Sequence, residues 1–155
     1  MNNQKIAVIG MGMWGKNIVR NFYNLNVLEY VCDLDEDSLK SVREQFPGVK
    51  TTKDFKEILE NSEITGVAVV TPSHTHFKLV KAALEAGKNV YVEKPISTVA
   101  KEAKILMELA EQKGLILMVD HLLLYHPAVN RLKMLIEEGE LGDIVYAQSD
   151  RLNVN

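Results

Sequence analysis

Residues 5 to 15 read KIAVIGMGMWG and join a short apolar run to a glycine-rich loop. The apolar run is typical of a central parallel strand that is covered on both faces. It ends in a G-x-G-x-x-G motif formed by Gly10, Gly12 and Gly15, and a helical pattern follows from Trp14 to Leu25. A strand, this loop and a helix in that order predict a dinucleotide-binding βαβ unit.

Each glycine of the loop has an expected role in binding the cofactor. Gly10 permits the tight turn, Gly12 lets a pyrophosphate approach the backbone, and Gly15 allows close packing of the helix. The N–H groups at the helix start then face the phosphates. The other cofactor contacts expected from this loop are Met13 and Trp14.

An acidic residue follows the second predicted strand, which runs from Val27 to Cys32. We expect Asp33 to accept hydrogen bonds from the adenosine ribose hydroxyls. A 2′-phosphate would meet a like charge there, and the next residue is Leu34 rather than an arginine. The sequence therefore favours NAD over NADP. The alternative role for Asp33, capping the next helix, is already covered by Asp35.

Strand and helix patterns alternate through the first 120 residues. Further strands are predicted at Val67 to Val70, Asn89 to Val92 and Leu115 to Val119, with capped helices between them. This alternation predicts an α/β fold with a Rossmann-type, doubly wound parallel sheet over residues 1–120. Residues 121–155 are expected to hold a connecting helix from Pro127 and a strand from Asp143 to Asp150, the start of a second, α+β domain.

Composition excludes several classes of partner. The net charge of -3 comes from interspersed charges, which disfavours nucleic acid. The one cysteine, Cys32, rules out an internal disulfide and fits a reducing compartment, and no metal cluster can be assembled around it. No apolar run approaches membrane-spanning length, so we expect a cytoplasmic protein that has no contact with membranes.

Two polar segments directly follow predicted strands, where strand ends deliver residues to a ligand. They are TPSHTH, from Thr71 to His76, and EKP, from Glu93 to Pro95. With the glycine loop, Asp33, DHLLLYHPAV at 120 to 129 and GELGD at 139 to 143, they make the whole chain resemble the glucose-fructose oxidoreductase / inositol dehydrogenase / rhizopine-catabolism (Gfo/Idh/MocA) family.

This resemblance implies roles for the two segments. It makes Lys94 catalytic, beside the reacting sugar carbon and the nicotinamide ribose, and makes Glu93 a residue that holds the cofactor. It also places Thr71, Pro72 and His76 around the nicotinamide half. A lysine ammonium can orient the hydroxyl whose carbon gives up hydride, which agrees with that role.

Three further residues carry open expectations. A cis peptide bond before Pro95 would fit a tight functional turn. His121 and His126 bracket a leucine-rich stretch at the end of the dinucleotide domain, where either could face the substrate or be a bystander.

The resemblance implies an NAD-dependent dehydrogenase that acts on the CH–OH group of a sugar or nucleotide sugar. The apolar, β-prone segment from Ile144 to Ala147 has no later strand to pair with, so we also expect the chain to self-associate as a homo-oligomer. Family members are about twice this length and their usual catalytic histidine lies beyond it, so we expect a truncated form that is impaired alone. The alternative is a non-catalytic NAD-binding module or sensor completed by a partner chain. A reductase in the manner of biliverdin reductase is more remote.

Overall fold

The computed structural model describes residues 4–150 of the chain. Strands and helices alternate along the first 120 residues, as their apolar periodicity predicts. The strands are β1 (Ile6–Ile9), β2 (Leu28–Cys32), β3 (Lys50–Thr52), β4 (Gly66–Val69), β5 (Asn89–Val92) and β6 (Leu117–Val119). The α-helices are α1 (Gly15–Asn24), α2 (Glu36–Gln45), α3 (Phe55–Glu60), α4 (His76–Glu85), α5 (Ala100–Lys113) and α6 (Pro127–Glu137).

The six strands form one parallel sheet in the order β3-β2-β1-β4-β5-β6. The chain starts in the middle, winds outward to β3, crosses back and winds outward again to β6, which confirms the predicted doubly wound fold. Ile9 pairs with both Cys32 and Val69, and Val69 pairs with Val92. The carboxyl ends of these strands therefore lie at one edge.

Alternating side chains of the strands build two separate cores. On one face, Ile9 and Val69 pack with residues of α4 and α5 such as Val80 and Leu106. On the other face, residues including Val8 pack with apolar side chains of α1 and α2. Because both faces are covered, the inner strands need apolar side chains in both directions, and this explains their unbroken apolar runs.

Strand β3 has no apolar run and was not predicted. Lys50 is exposed, while Thr51 and Thr52 are only half-buried. The strand lies at the edge of the sheet and pairs with β2 alone. An edge strand needs no apolar side chain on either face, so pattern analysis does not detect it.

Asp35 and Asp54 each cap the helix that follows. The Asp35 side chain accepts from the backbone N–H of Ser38 at 2.9 Å, and Asp54 accepts from Lys56 N–H at 2.9 Å. Ser73 is not the cap of α4, because Ser73–Thr75 forms a 3₁₀ turn and α4 begins only at His76. The extra turn moves the helix start away from the end of β4.

The chain divides after Asp120 into two compact units. In the second unit, α6 begins at Pro127 as predicted, and His126 caps it by accepting from Ala128 N–H at 3.2 Å. The predicted strand from Asp143 to Asp150 is wrong for the described residues, none of which is in a strand there. No neighbouring strand pairs with this segment in the described part, and Val145 is 94% exposed.

Within residues 4–150, no helix has the length and apolar character needed to cross a membrane. The longest, α5, has 14 residues, whereas a spanning helix needs about 20. The same residues hold no cluster of three or more His, Cys, Asp or Glu side chains placed to bind a metal ion.

Candidate functional site

A cleft of about 1040 Å³ opens along the carboxyl edge of the sheet. Its walls include the loops that follow β1, β2, β3, β4 and β5, and this edge is where ligands bind in open α/β sheets. The predicted site residues that line it are Gly10, Gly12, Met13, Trp14, Asp33, Thr71, Pro72, His76, Glu93 and Lys94. The fold therefore gathers these residues from four separate loops.

The glycine loop has the shape that its three glycines predict. Gly10 has φ 101°, and a Cβ there would lie 2.6 Å from the carbonyl oxygen of Val70. A Cβ on Gly15 would overlap the carbonyl oxygen of Gly10, so α1 starts directly against the loop. Gly12 differs, because a Cβ there would have nothing within 4 Å. The chain itself gives no steric reason for glycine at position 12, whereas close approach of a pyrophosphate does.

The start of α1 is also suited to an anion. Trp14 is the N-cap residue and makes no side-chain capping bond. The N–H groups of Lys16 and Asn17 already donate to the carbonyl oxygens of Gly12 (3.4 Å) and Trp14 (2.9 Å), so the Gly15 N–H is the first-turn donor left to face a ligand. Met13 is 87% exposed and Trp14 is 50% exposed beside these groups. Two large apolar side chains exposed at a loop tip provide a surface that a cofactor can cover.

Asp33 lines the cleft and also accepts two hydrogen bonds from backbone N–H groups. Its Oδ2 accepts from the N–H of Met11 at 2.5 Å, and its Oδ1 accepts from the N–H of Asp35 at 2.9 Å. Each carboxylate oxygen can accept a second hydrogen bond, which leaves capacity for ribose hydroxyls. Next to it, burial and the negative charge of Asp33 raise the pKa of the Cys32 thiol to about 11.

Sequence reasoning missed two residues at this end of the cleft, Lys53 and Phe55. Both follow β3, the strand whose pattern was not recognised. The Lys53 ammonium lies 2.9 Å from Oε2 of Glu36, whose Oε1 lies 2.7 Å from Arg43. Recognition of β3 as a strand would have placed Lys53 at the same edge as Asp33.

His76 connects the two predicted loops at the other end of the cleft. The ring is 1% exposed, with Nδ1 2.7 Å from the Pro95 carbonyl oxygen and Nε2 2.7 Å from the Thr71 carbonyl oxygen. Carbonyl oxygens only accept, and a neutral imidazole has one N–H, so the tautomer decides which of the two oxygens receives the hydrogen bond. The Thr71 and Thr75 hydroxyls lie 2.6 Å apart and stabilise the same turn.

The EKP segment follows β5 and presents an exposed lysine next to a buried glutamate. Lys94 is exposed, whereas Glu93 is only 7% exposed. Glu93 Oε2 accepts from the backbone N–H of Lys94 at 3.1 Å. Burial and, after it, the neighbouring carboxyl group of Asp120 raise the pKa of Glu93. The Lys94–Pro95 peptide bond is cis, as predicted.

These features define an NAD-binding Rossmann domain. Residues 4–121 match the model of the oxidoreductase family with an NAD-binding Rossmann fold, GFO_IDH_MocA, and the chain belongs to this family. The resemblance inferred from the motifs is therefore confirmed.

Two curated relatives in the family are each about one third identical in sequence to this chain. The scyllo-inositol 2-dehydrogenase (NADP(+)) IolW of Bacillus subtilis is 33% identical over 90% of this chain and 39% of its own length. The scyllo-inositol 2-dehydrogenase (NAD(+)) of the same organism is 31% identical over 92% of this chain and 42% of its own length. The chain thus spans about two fifths of the length of these curated relatives.

Solved structures share the fold. The structure of KijD10, a 3-ketoreductase from Actinomadura kijaniata in complex with NADP and TDP-benzene, is 27% identical to this chain. It superposes with a TM-score of 0.80 over 89% of this chain and 43% of its own.

Proposed function

We propose that this protein is an NAD-dependent dehydrogenase that oxidises a CH–OH group of a sugar or nucleotide sugar. One observation carries the proposal: a single cleft holds a dinucleotide-type glycine loop and, along the same sheet edge, the exposed ammonium of Lys94. The printed activities of the relatives, two inositol dehydrogenases and a 3-ketoreductase, support this class of substrate.

Most of the cleft residues bind the cofactor, and Lys94 acts on the substrate. When bound, NAD⁺ would supply the acceptor for the hydride. Lys94 donates a hydrogen bond to the reacting hydroxyl oxygen and holds it as its proton leaves. Thr71, Pro72 and His76 line the nicotinamide half, and Glu93 holds the cofactor there. The glycine loop binds the pyrophosphate, with Met13 and Trp14 against it.

We propose the preference for NAD over NADP from the charges at the end of the cleft where Asp33 lies. Asp33 would repel a 2′-phosphate, and Leu34 offers it no positive charge. Lys53, one of the lysines that line the cleft, follows β3 beside Asp33, and its ammonium is already paired with Glu36 at 2.9 Å. A phosphate would have to compete with that pair.

We propose that substrate oxidation needs residues outside this chain. The relatives are more than twice as long, and a hydride transfer needs a wall that holds the sugar and a group that takes its proton. We expect the chain alone to bind NAD⁺ and to oxidise little or no sugar.

Self-association is a separate proposal. Tyr125, Val145 and Tyr146 of the second unit are each more than two-thirds exposed, and exposed apolar side chains favour association of copies. Light scattering on this chain and on one that ends at Asp120 tests this. A longer chain that stays monomeric would contradict it.

The function is tested by calorimetry followed by absorbance. NAD⁺ is titrated into the chain, and scyllo-inositol or UDP-N-acetylglucosamine is then added while NADH absorbance is followed. The same assay is run on a protein that carries this chain together with a substrate domain. NADH formation by the longer protein supports the dehydrogenase. NAD⁺ binding without NADH in any form supports the alternative, a non-catalytic module completed by a partner chain.

A further inference from the structure

Two carboxyl groups meet where β5 and β6 end. Val92 pairs with Val119, and the backbone N–H of Asp120 donates to the carbonyl oxygen of Val92 at 2.9 Å. The next residue after β5 is Glu93, and Asp120 follows β6. Adjacent parallel strands lie about 4.8 Å apart, so this register brings the two side chains together at the carboxyl edge.

One oxygen of Glu93 lacks a donor in the described structure. Oε2 accepts from Lys94 N–H, whereas Oε1 is buried and has no hydrogen-bond partner among residues 4–150. A buried carboxylate oxygen without a donor is costly. A proton on Oε1, donated to the Asp120 carboxylate, removes this cost and makes the two acids a hydrogen-bonded pair.

We propose that Glu93 and Asp120 share one proton, and that this acid pair distinguishes NAD⁺ from NADH by releasing the proton when NAD⁺ binds. The proposal rests on the proposed function in one respect, namely that the nicotinamide lies at the Glu93 end of the cleft. Asp120 does not line the cleft and would act through Glu93 as a positioning residue.

The charges around the pair support proton sharing. Burial is the main cause that raises the pKa of Glu93, and the neighbouring carboxyl group of Asp120 raises it further. The Lys94 backbone N–H and ammonium act in the opposite direction. His76 of α4 lines the same cleft as Glu93, and its two ring nitrogens each lie 2.7 Å from a backbone carbonyl oxygen, of Pro95 and of Thr71.

The change of charge makes the pair sensitive to the redox state of the cofactor. With its proton the pair carries one negative charge, and without it two. The nicotinamide ring of NAD⁺ is positively charged and that of NADH is neutral, so NAD⁺ favours the ionised pair. One proton then passes to solvent and no electron is transferred within the protein.

Calorimetry on the 155-residue chain tests this discrimination. NAD⁺ and NADH are each titrated at several pH values, in buffers with different ionisation enthalpies, to count the protons released. We expect NAD⁺ to release part of one proton and NADH none. The affinity ratio of NAD⁺ to NADH should rise about tenfold as the pair ionises, which corresponds to about 1.4 kcal/mol.

Three variants separate this effect from a structural one. In Glu93→Gln and Asp120→Asn no proton is shared, so proton release should vanish and the affinity ratio should not change with pH. Glu108→Gln removes a charge from α5, away from the cleft, and should behave like wild type. Equal proton release with both cofactors, or an unchanged pH profile in Asp120→Asn, would overturn the proposal.

The pair itself is measured without a cofactor by carbon NMR of the side-chain carboxyls. Glu93 should titrate above its ordinary range in wild type and return toward it in Asp120→Asn. An ordinary Glu93 titration in wild type overturns the acid pair whether or not NAD⁺ binds. Failure of both cofactors to bind contradicts the proposed function and, with it, the redox discrimination, but leaves the NMR result to decide the pair.

Discussion

The backbone N–H of Met11 donates to Oδ2 of Asp33 at 2.5 Å, which ties the glycine loop after β1 to the end of β2. The residue proposed to bind the adenosine ribose therefore also anchors the loop proposed to bind the pyrophosphate. A charged acceptor of this kind contributes more than a neutral one.

Replacement of Asp33 should affect affinity and cofactor choice together. We expect Asp33→Ala to weaken NAD⁺ binding roughly ten- to hundredfold, since hydrogen bonds to a charged group contribute about 1.5–3 kcal/mol. The preference for NAD⁺ over NADP⁺ should be lost. Calorimetric titration with both cofactors measures this. Asp35→Ala, which removes the cap of α2 outside the cleft, is the control and should keep both affinities. Equal affinities in wild type would refute the role of Asp33.

Gly12 and Gly15 should respond differently to an added methyl group. Gly12→Ala meets nothing within 4 Å, so its thermal unfolding should stay close to wild type while NAD⁺ binding falls at least about tenfold. Gly15→Ala overlaps the carbonyl oxygen of Gly10 and should lower the melting temperature by several degrees. Scanning calorimetry and NAD⁺ titration on both variants check this. Normal NAD⁺ affinity in Gly12→Ala would show that the space beside it does not receive a pyrophosphate.

Lys94→Ala should separate chemistry from binding. Its side chain is exposed in the cleft and is proposed to contact the substrate, so the NAD⁺ affinity of this chain should change less than about threefold. In a longer protein with a substrate domain, turnover should fall about a hundredfold or more. Steady-state kinetics with Lys101→Ala, an exposed lysine of α5, as control measures this. A Lys94→Ala enzyme with normal turnover would remove Lys94 from the mechanism.

Cys32 should resist alkylation in the folded protein. Its pKa is raised to about 11, and the reactive thiolate is the major form only above that pH. At pH 8 about one thiol in a thousand is ionised, compared with about one in ten for a thiol of pKa 9.0. Iodoacetamide labelling followed by mass spectrometry should therefore be at least about a hundredfold slower in the native chain than in urea. Comparable labelling rates would show that the thiol is not buried and that its pKa is not raised.

The sequence predicts the parts of the site that depend on local pattern. Gly10, Gly12 and Asp33 directly follow apolar strands, and a buried parallel strand has a clear apolar run. Lys53 was missed because β3 is an edge strand without such a run. Asp120 was missed because its partner, Glu93, is set by the register of β5 and β6 rather than by nearby residues. The strand expected at Asp143 failed since β-propensity without a pairing strand does not form one.

The two ring nitrogens of His76 each lie 2.7 Å from a carbonyl oxygen, one of Thr71 and the other of Pro95. These two oxygens belong to the loops after β4 and β5, so one buried ring couples the motions of both. A cofactor that enters this end of the cleft therefore meets one stiff wall rather than two independently moving loops. Less conformational entropy therefore remains to be lost at this end when the cofactor binds.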